Sequence, residues 1–103
     1  MSDSISQTEV EIKNANGLHM KPAMQLVDTA SRFMSDIKVS NGKTVVDGKS
    51  IMQIAMLAAT AGTKLTITAE GSDAQMATEA LKDLIENKLF GEQSRQAEKE
   101  SAG

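Results

Sequence analysis

The sequence predicts a two-layer α/β domain of the α+β kind, in which three helices cover one face of a four-stranded antiparallel sheet. Three short stretches alternate apolar and polar residues, which is typical of strands that bury only one face, and a fourth short stretch is β-prone. Three longer stretches carry apolar residues at spacings of three and four, which is typical of amphipathic helices. In chain order these stretches predict β-α-β-β-α-β-α, an arrangement that favours helices packed on one side of the sheet.

The first strand and the first helix are predicted on either side of a loop. Residues 8–13 alternate Val10 and Ile12 with charged residues, which predicts a half-buried strand. Residues 14–17 form the loop, and a helix is predicted over residues 20–33. The apolar stripe of this helix is expected to consist of Ala23, Leu26, Val27, Ala30, Phe33 and Met34.

The second and third strands are predicted to form an antiparallel hairpin. Residues 36–40 alternate apolar and polar side chains, and residues 43–46 are a second β-prone run. Asn41 and Gly42 lie between the two runs. An Asn-Gly pair in this position favours a type I′ turn, because that turn needs positive φ at both central residues.

A second helix is predicted over residues 51–61. Ser50 and Gln53 have the form of a capping box, in which the serine hydroxyl accepts from the N–H of Gln53 and the glutamine reaches back. Gly62 is expected to end the helix. Apolar residues fall on more than one face, which indicates an exposed apolar surface beside the buried one.

The last strand and the last helix complete the predicted domain. Residues 64–70 alternate again and predict the fourth strand. Either Ser72 or Asp73 is a suitable N-cap for the helix that follows. Its buried stripe is expected to contain Ala77, Ala80, Leu81, Leu84 and Ile85, and to continue toward Leu89.

Length and composition predict one folded domain with flexible ends. A chain of 103 residues is the size of a single domain. The polar residues 1–7 are predicted to be a flexible lead, residues 8–91 the folded domain, and the charged, small residues 92–103 a disordered tail. The chain has no cysteine, which excludes a disulfide framework and a thiolate metal site.

Charge and hydropathy narrow the classes of partner. The net charge is −3 without a basic block, and two phenylalanines are the only aromatic residues, so nucleic acid is not an expected partner. No apolar run approaches the ~20 residues that span a bilayer. Residues 1–7 lack the basic start and apolar stretch of a signal peptide. We therefore predict a cytoplasmic protein that does not insert into membranes and needs no metal or cofactor.

The most informative stretch is residues 17–22, which read Gly-Leu-His-Met-Lys-Pro. His19 is the only histidine, and it lies where the first helix is predicted to begin. A helix N-terminus offers unpaired N–H groups and a partial positive charge, and it binds phosphate well. Pro22 suits the first turn, where its missing N–H breaks no helical hydrogen bond. His19 is thus a candidate nucleophile beside an anion site; the alternative is an ordinary surface or core histidine.

With Ala23, this motif closely resembles the active-site motif of the HPr family, the histidine-containing phosphocarriers of the bacterial phosphotransferase system. The usual string there is Gly-(Leu/Ile)-His-Ala-Arg-Pro-Ala, so Met20 replaces an alanine and Lys21 replaces an arginine. The resemblance extends over residues 8 to 90. It implies an open-faced two-layer sandwich whose sheet has the strand order 1-4-2-3.

The resemblance also implies a function. A phosphoryl group passes from phospho-enzyme I to His19 and then to a histidine on an enzyme II A domain in sugar uptake or its regulation. The backbone N–H groups of Met20 and Lys21 would hold the phosphate, and the Lys21 side chain would stabilise it. Lysine is a hydrated point charge and lacks the bidentate fork of arginine. The alternative for Lys21 is a solvated helix residue. The implied carrier is a monomer and not an enzyme.

Ser50 carries a second hypothesis. Residues 49–52 resemble the HPr segment whose serine is phosphorylated by the ATP-dependent HPr kinase/phosphorylase, which makes that kinase a third implied partner. The alternative is that Ser50 only caps its helix, since capping boxes are common. The second candidate function is a regulatory binding module that is controlled through Ser50 and supports little transport. The presence of His19 favours the carrier.

A docking surface is expected beside the histidine. In the family, a shallow apolar patch meets enzyme I and the enzyme II A domains, and adaptable side chains suit such transient contacts. The residues expected on this patch are Met20, Met24, Ile51 and Met52. The alternative places some of these methionines in the core. Met24 and Met52 are expected to be more exposed than Met34, which lies on the buried stripe.

Overall fold

The computed structural model describes residues 4–13, 20–57 and 62–88, and for Met20 and Lys88 it describes the backbone alone. The elements in chain order are β1 (Ser4–Glu11), α1 (Met20–Ala30), β2 (Asp36–Ser40), β3 (Val45–Asp47), α2 (Ile51–Met56), β4 (Lys64–Gly71) and α3 (Ala74–Asp83), which a π-helical segment (Leu84–Lys88) extends. None of the helices in these ranges is long and apolar enough to cross a bilayer. The predicted tail over residues 92–103 lies outside them.

The four strands form one antiparallel sheet in the order β1-β4-β2-β3. β4 is central: Leu65 lies opposite Val10 of β1, and Ile67 lies opposite Val39 of β2. Alternate residues of β4 are buried, as expected for a strand with one packed face. The predicted fold class and strand order are therefore confirmed.

Aliphatic side chains of the sheet and the helices build the core. α1 contributes Ala23, Leu26 and Ala30, each fully buried. α3 and the π-helical segment contribute Leu81 and Ile85, also fully buried. Burying each Leu or Ile side chain stabilises the fold by roughly 1.5–3 kcal/mol. The amphipathic stripes on which the helix predictions depended thus face the sheet.

β1 begins four residues before its predicted start, so the assignment of residues 4–7 to a flexible lead is wrong. These residues pair with β4 as far as Ser4, which lies opposite Gly71. Their contact with α3 is polar: the Ser6 hydroxyl lies 2.8 Å from that of Thr78, which is buried. A pair of hydroxyls replaces an apolar contact here, which explains why hydrophobic alternation did not reveal this half of the strand.

α3 also covers part of the outer edge of β1. The Lys82 ammonium donates to the Glu9 carbonyl at 3.0 Å. Two residues along, the Glu11 N–H donates to the Glu86 carboxylate at 3.1 Å. The same Lys82 and Glu86 side chains pair with one another across one helical turn, at 3.3 Å. Side chains therefore satisfy backbone groups that a neighbouring strand would otherwise pair.

The β2–β3 hairpin forms, but its connection is longer than predicted. Residues 41–44 join Ser40 to Val45, which lie opposite one another. The Asn41 side-chain oxygen accepts from the N–H groups of Lys43 at 3.0 Å and Thr44 at 2.8 Å. The predicted type I′ turn is therefore replaced by a four-residue loop organised by the asparagine side chain, and β3 begins at Val45 rather than at residue 43.

α1 ends at Ala30, three residues before its predicted end. Beyond it the N–H groups of Arg32 and Phe33 donate three residues back, to Thr29 at 3.1 Å and Ala30 at 3.2 Å. This tighter winding shifts the phase of the apolar stripe. Met34 consequently faces solvent with 86% exposure, and its assignment to the buried stripe is wrong.

The Asp73 carboxylate joins the start of α3 to the segment before β2. It accepts from the Met34 N–H at 2.9 Å, the Ser35 N–H at 3.0 Å and the Ser35 hydroxyl. The Ser35 hydroxyl, followed by the Met34 N–H, holds the pKa of the Asp73 carboxyl below its ordinary value. Asp73 occupies the N-cap position that the sequence predicts, but its side chain bonds to this distant segment and makes no capping bond to α3.

Candidate functional site

α1 begins at Met20, so the residue that immediately precedes the helix in the sequence is His19. His19 and residues 14–18 lie outside the described ranges. Pro22 is buried in the first turn, as the sequence predicts, and Ala23 beside it is fully buried. These two contacts fix the start of α1 against the core. The backbone that follows the histidine is therefore anchored to the core.

The first turn of α1 favours an anion. Its backbone N–H groups have no carbonyl partner within the helix, and the aligned peptide dipoles give it a partial positive charge. No acidic side chain lies in this first turn of the described helix. Lys21 is exposed on the same turn and adds a full positive charge. This end of the helix can attract and hold a phosphate group.

Ser50 is the N-cap of α2. Its hydroxyl accepts from the Gln53 N–H at 3.3 Å, which is one half of the predicted capping box. The other half is wrong: the Gln53 side-chain oxygen accepts from the Asp47 N–H at 2.8 Å rather than from Ser50. The Ser50 N–H instead donates to the Asp47 carbonyl at 3.2 Å. Asp47, at the end of β3, therefore bonds both to the Gln53 side chain and to the Ser50 N–H.

Lys49 links the two helices, which the sequence did not indicate. Its ammonium donates to the Phe33 carbonyl, just beyond α1, at 2.7 Å. Its own N–H donates to the Asp47 carboxylate at 2.9 Å. The partner at Phe33 lies 16 residues away, so no local pattern could have predicted this contact. It holds the end of the α1 segment close to the residue before Ser50.

An apolar groove of about 780 Å³ lies between α1 and α2. Its lining residues are Met24, Val27 and Asp28 from α1, Ser31 just beyond the end of α1, and Ile51, Met52, Ala55 and Met56 from α2. We refer to it as the α1–α2 groove. Among the described lining residues only Asp28 is charged, and it pairs with Arg32 at 2.9 Å. The other described lining residues include three exposed methionines and the exposed Ala55.

The α1–α2 groove brings together three of the four residues that the sequence predicts on the docking patch. Met24, Ile51 and Met52 line it, whereas the side chain of Met20 is outside the described set. Met24 is 56% exposed and Met52 is 75% exposed, but Met34 is more exposed than either at 86%, so the expected order of exposure is wrong. Met56, 74% exposed, was missed. Its position four residues after Met52 could have revealed it, because such residues share a helix face.

Comparisons with known proteins agree with the fold. The sequence model of the family described as "PTS HPr component phosphorylation site" matches residues 6–87. The phosphocarrier protein HPr of Haemophilus influenzae is 47% identical over 75% of this chain and 91% of its own length. HPr crystal structures from Bacillus anthracis and Thermoanaerobacter tengcongensis superpose with TM-scores of 0.77 and 0.78, at 41% and 45% identity. They cover 81% and 84% of this chain and 99% and 96% of their own.

This open-faced sandwich, with an anion-attracting helix start directly after a histidine, is that of a small phosphoryl-carrier domain. The family match spans most of the chain and includes the residues around His19. The chain belongs to the HPr family, the phosphocarriers of the bacterial phosphotransferase system. Its activity is accordingly phosphoryl transfer in that system, as a carrier protein.

Proposed function

We propose that His19 accepts a phosphoryl group from phospho-enzyme I and passes it to an enzyme II A domain, with the protein acting as a monomer in the cytoplasm. In the first step the Nδ1 lone pair of neutral His19 attacks phosphorus. The bond from phosphorus to the donor breaks as the new N–P bond forms. In the second step a nucleophile of the enzyme II A domain attacks, and His19 regains its lone pair.

The observation that supports this proposal is that the family match over residues 6–87 includes His19, which immediately precedes α1 in the sequence. A phosphoryl group on His19 would lie next to the N–H groups of Met20 and Lys21. Such fixed donors stabilise developing charge without having to reorganise. The chain would thus supply position and electrostatics, and the partner enzymes would supply the donor and acceptor.

A direct assay tests this function. The protein is incubated with phosphoenolpyruvate and catalytic enzyme I, and the product is examined for a phosphate that is acid-labile and base-stable, as expected for phosphohistidine. Addition of an enzyme II A domain should then discharge it. Absence of phosphate in the first step, or an acid-stable phosphate, would contradict the proposal.

Lys21 is proposed to stabilise the phosphoryl group through its charge. We expect Lys21→Arg to keep or raise the rate of transfer from enzyme I, because the guanidinium restores the bidentate donors. We expect Lys21→Glu to lower the rate about tenfold or more, a change of about 1.4 kcal/mol in the barrier, because it places like charge beside the phosphate.

The matched control for Lys21→Glu is Lys43→Glu. Lys43 is an exposed residue of the β2–β3 loop, so its reversal makes the same change in net charge away from the start of α1. Transfer rates are measured by quenched-flow phosphorylation. Equal losses in the two variants would show that total charge, and not the Lys21 position, controls the rate.

The α1–α2 groove is proposed as the docking surface for enzyme I and enzyme II A domains. It begins one helical turn after Met20, where Met24 lies about 6 Å further along the α1 axis. The proposed surface therefore adjoins the site of phosphorylation. Flexible thioether side chains can adapt to several partners in turn. Met20 belongs to the proposed surface by its position in the sequence.

Ser50 is proposed as a regulatory site for HPr kinase/phosphorylase. It directly precedes Ile51, a lining residue of the α1–α2 groove. A phosphate on its hydroxyl would add about −1.5 to −2 charges at the groove's end. Hydrated phosphate resists burial beside Ile51 and Met52, and its charge would repel acidic groups on a partner. The expected effect is weaker docking.

Ser50→Asp tests this regulation while keeping a favourable N-cap residue on α2. Aspartate is as good an N-cap as serine, so we expect thermal stability close to wild type and slower transfer to His19. Ser50→Asn keeps a cap without charge, and Ser50→Ala removes the cap without adding charge. If the aspartate variant transfers as fast as the asparagine variant, charge at this position does not regulate docking. If the rate of transfer to His19 is unchanged in all three variants, Ser50 serves only as a helix cap. That result would also exclude the second candidate function, a regulatory module that is controlled through Ser50.

A further inference from the structure

Every methionine whose side chain the structure describes is exposed to solvent. The exposed fractions range from 56% at Met24 to 86% at Met34. Methionine commonly fills gaps in protein cores. Here the hydrophobic core of the described ranges contains only Ala, Val, Leu and Ile. The thioethers are therefore surface groups, and a chemical change in them need not disturb core packing.

Three of these five methionines line the α1–α2 groove, namely Met24, Met52 and Met56. The other two, Met34 and Met76, are exposed to a similar degree outside it, at 86% and 65%. The chain contains no cysteine, tryptophan or tyrosine. Mild two-electron oxidants will therefore react with the methionines before other side chains.

We propose that the α1–α2 groove is a site of methionine oxidation by hydroperoxides, and that oxidation there switches off docking. The inference rests on the proposed function, because docking is the property that changes. A sulfur lone pair of Met24, Met52 or Met56 attacks one peroxide oxygen, forming the S–O bond and breaking the O–O bond. The other oxygen takes up the proton of the attacked oxygen and leaves as water or an alcohol. The sulfur loses two electrons, which the peroxide gains.

Oxidation of methionines in the α1–α2 groove is expected to weaken docking. A sulfoxide oxygen is a strong hydrogen-bond acceptor, and its burial under a partner without a donor costs free energy. Among the described residues that line the groove, Asp28 and Ser31 are polar; the carboxylate of Asp28 offers only acceptors, and the hydroxyl of Ser31 offers one donor. Transient complexes rest on a small surplus of binding energy, so a modest penalty weakens them strongly. Reduction by a methionine sulfoxide reductase reverses the change.

The experiment compares two sets of leucine variants. The test variant carries Met24→Leu, Met52→Leu and Met56→Leu, and the control carries Met34→Leu and Met76→Leu. Leucine keeps the apolar volume but cannot be oxidised. Each protein is treated with hydrogen peroxide, the sulfoxides are located by peptide mass spectrometry, and transfer from phospho-enzyme I is measured relative to the untreated sample of the same variant. Met20 is retained in every protein.

We expect oxidation to slow transfer about tenfold in the wild type and in the control, the equivalent of about 1.4 kcal/mol of docking free energy. Peroxide should slow transfer by the test variant clearly less than transfer by the other two proteins. The melting temperatures of all three proteins should be unaffected by peroxide. Sulfoxide reductase with a thiol reductant should restore the wild type. If the triple variant is unstable, the single variants Met52→Leu and Met56→Leu provide the same comparison.

Two results overturn the inference. Equal losses in the test variant and the wild type would place the sensitive group elsewhere, at Met20 for example. Full oxidation of the three groove methionines without loss of transfer would show that docking tolerates sulfoxides. If untreated wild type accepts no phosphate at all, the proposed function itself fails, and the inference falls with it. The untreated samples therefore separate the two kinds of failure.

Discussion

The His19→Ala variant should fold normally and accept no phosphoryl group from phospho-enzyme I. His19 is the only imidazole in the chain, so no second histidine can replace it. Alanine offers no lone pair for attack on phosphorus. The helix that follows keeps its own anchors, because Pro22 and Ala23 are buried in its first turn. Transfer is measured with radiolabelled phosphoenolpyruvate, and folding by circular dichroism and thermal unfolding.

A binding assay separates loss of chemistry from loss of docking in this variant. Because His19→Ala leaves the α1–α2 groove unchanged, it should still compete with the wild type for enzyme I in a transfer assay. Inhibition by the variant would show that its surface is intact while its nucleophile is missing. Phosphate on the folded variant would remove the central claim, since some other residue would then be the acceptor.

Gly71→Ala should be strongly destabilising. A Cβ atom at Gly71 would lie 2.5 Å from the Ser35 hydroxyl oxygen and 2.7 Å from the Ser35 Cα. Ser35 is buried and is held by the Asp73 carboxylate through its N–H and its hydroxyl, so it cannot move aside cheaply. Forcing a methyl group into a packed site costs about 3 kcal/mol. For a domain of this size that lowers the melting temperature by roughly 15 °C.

Gly42→Ala is the matched control for steric crowding. Gly42 has a φ of +94° but no atom within 4 Å of its hypothetical Cβ. Its replacement should therefore cost only the strain of the left-handed conformation, about 1–2 kcal/mol. Urea denaturation of both variants gives the comparison. Equal free energies of unfolding in the two would mean that Ser35 yields to the added methyl group.

The sequence predicts most accurately those elements that local patterns alone determine. The predicted bounds of β2 agree with the observed Asp36–Ser40, because its alternation is uninterrupted and one face is buried. The fold class and element order were likewise predictable from periodicity. The hairpin connection was not, because the Asn41 side chain bonds to Lys43 and Thr44 and makes a longer loop than Asn-Gly usually does.

The errors lie where a partner distant in the sequence decides the outcome. The first half of β1 depends on the Ser6 and Thr78 hydroxyls, which are 72 residues apart. The exposure of Met34 follows from a shortened helix and from Asp73, which binds its N–H from 39 residues away. Neither contact leaves a periodic trace in the sequence, because polar pairs are specified by position and not by hydrophobicity.

The candidate site was predictable to different degrees. The motif around His19 indicated a candidate phosphoryl acceptor through its resemblance to the family, and helix periodicity indicated where α1 begins. The patch residues Met24, Ile51 and Met52 do lie on one groove. Met56 was missed although its position four residues after Met52 places it on the same helix face. The contact from Lys49 to Phe33 was not predictable, because it joins segments that are 16 residues apart.

The contacts of Lys82 and Glu86 with β1 bear on self-association in crowded solution. An outer strand usually presents a row of free backbone groups, which can recruit a strand from another molecule. Along the second half of β1, the Glu9 carbonyl and the Glu11 N–H are already occupied by these two side chains. Addition of a foreign strand there would first have to break both bonds. A carrier protein that binds several partners in turn gains from this, because strand addition between two copies is disfavoured at this part of the edge.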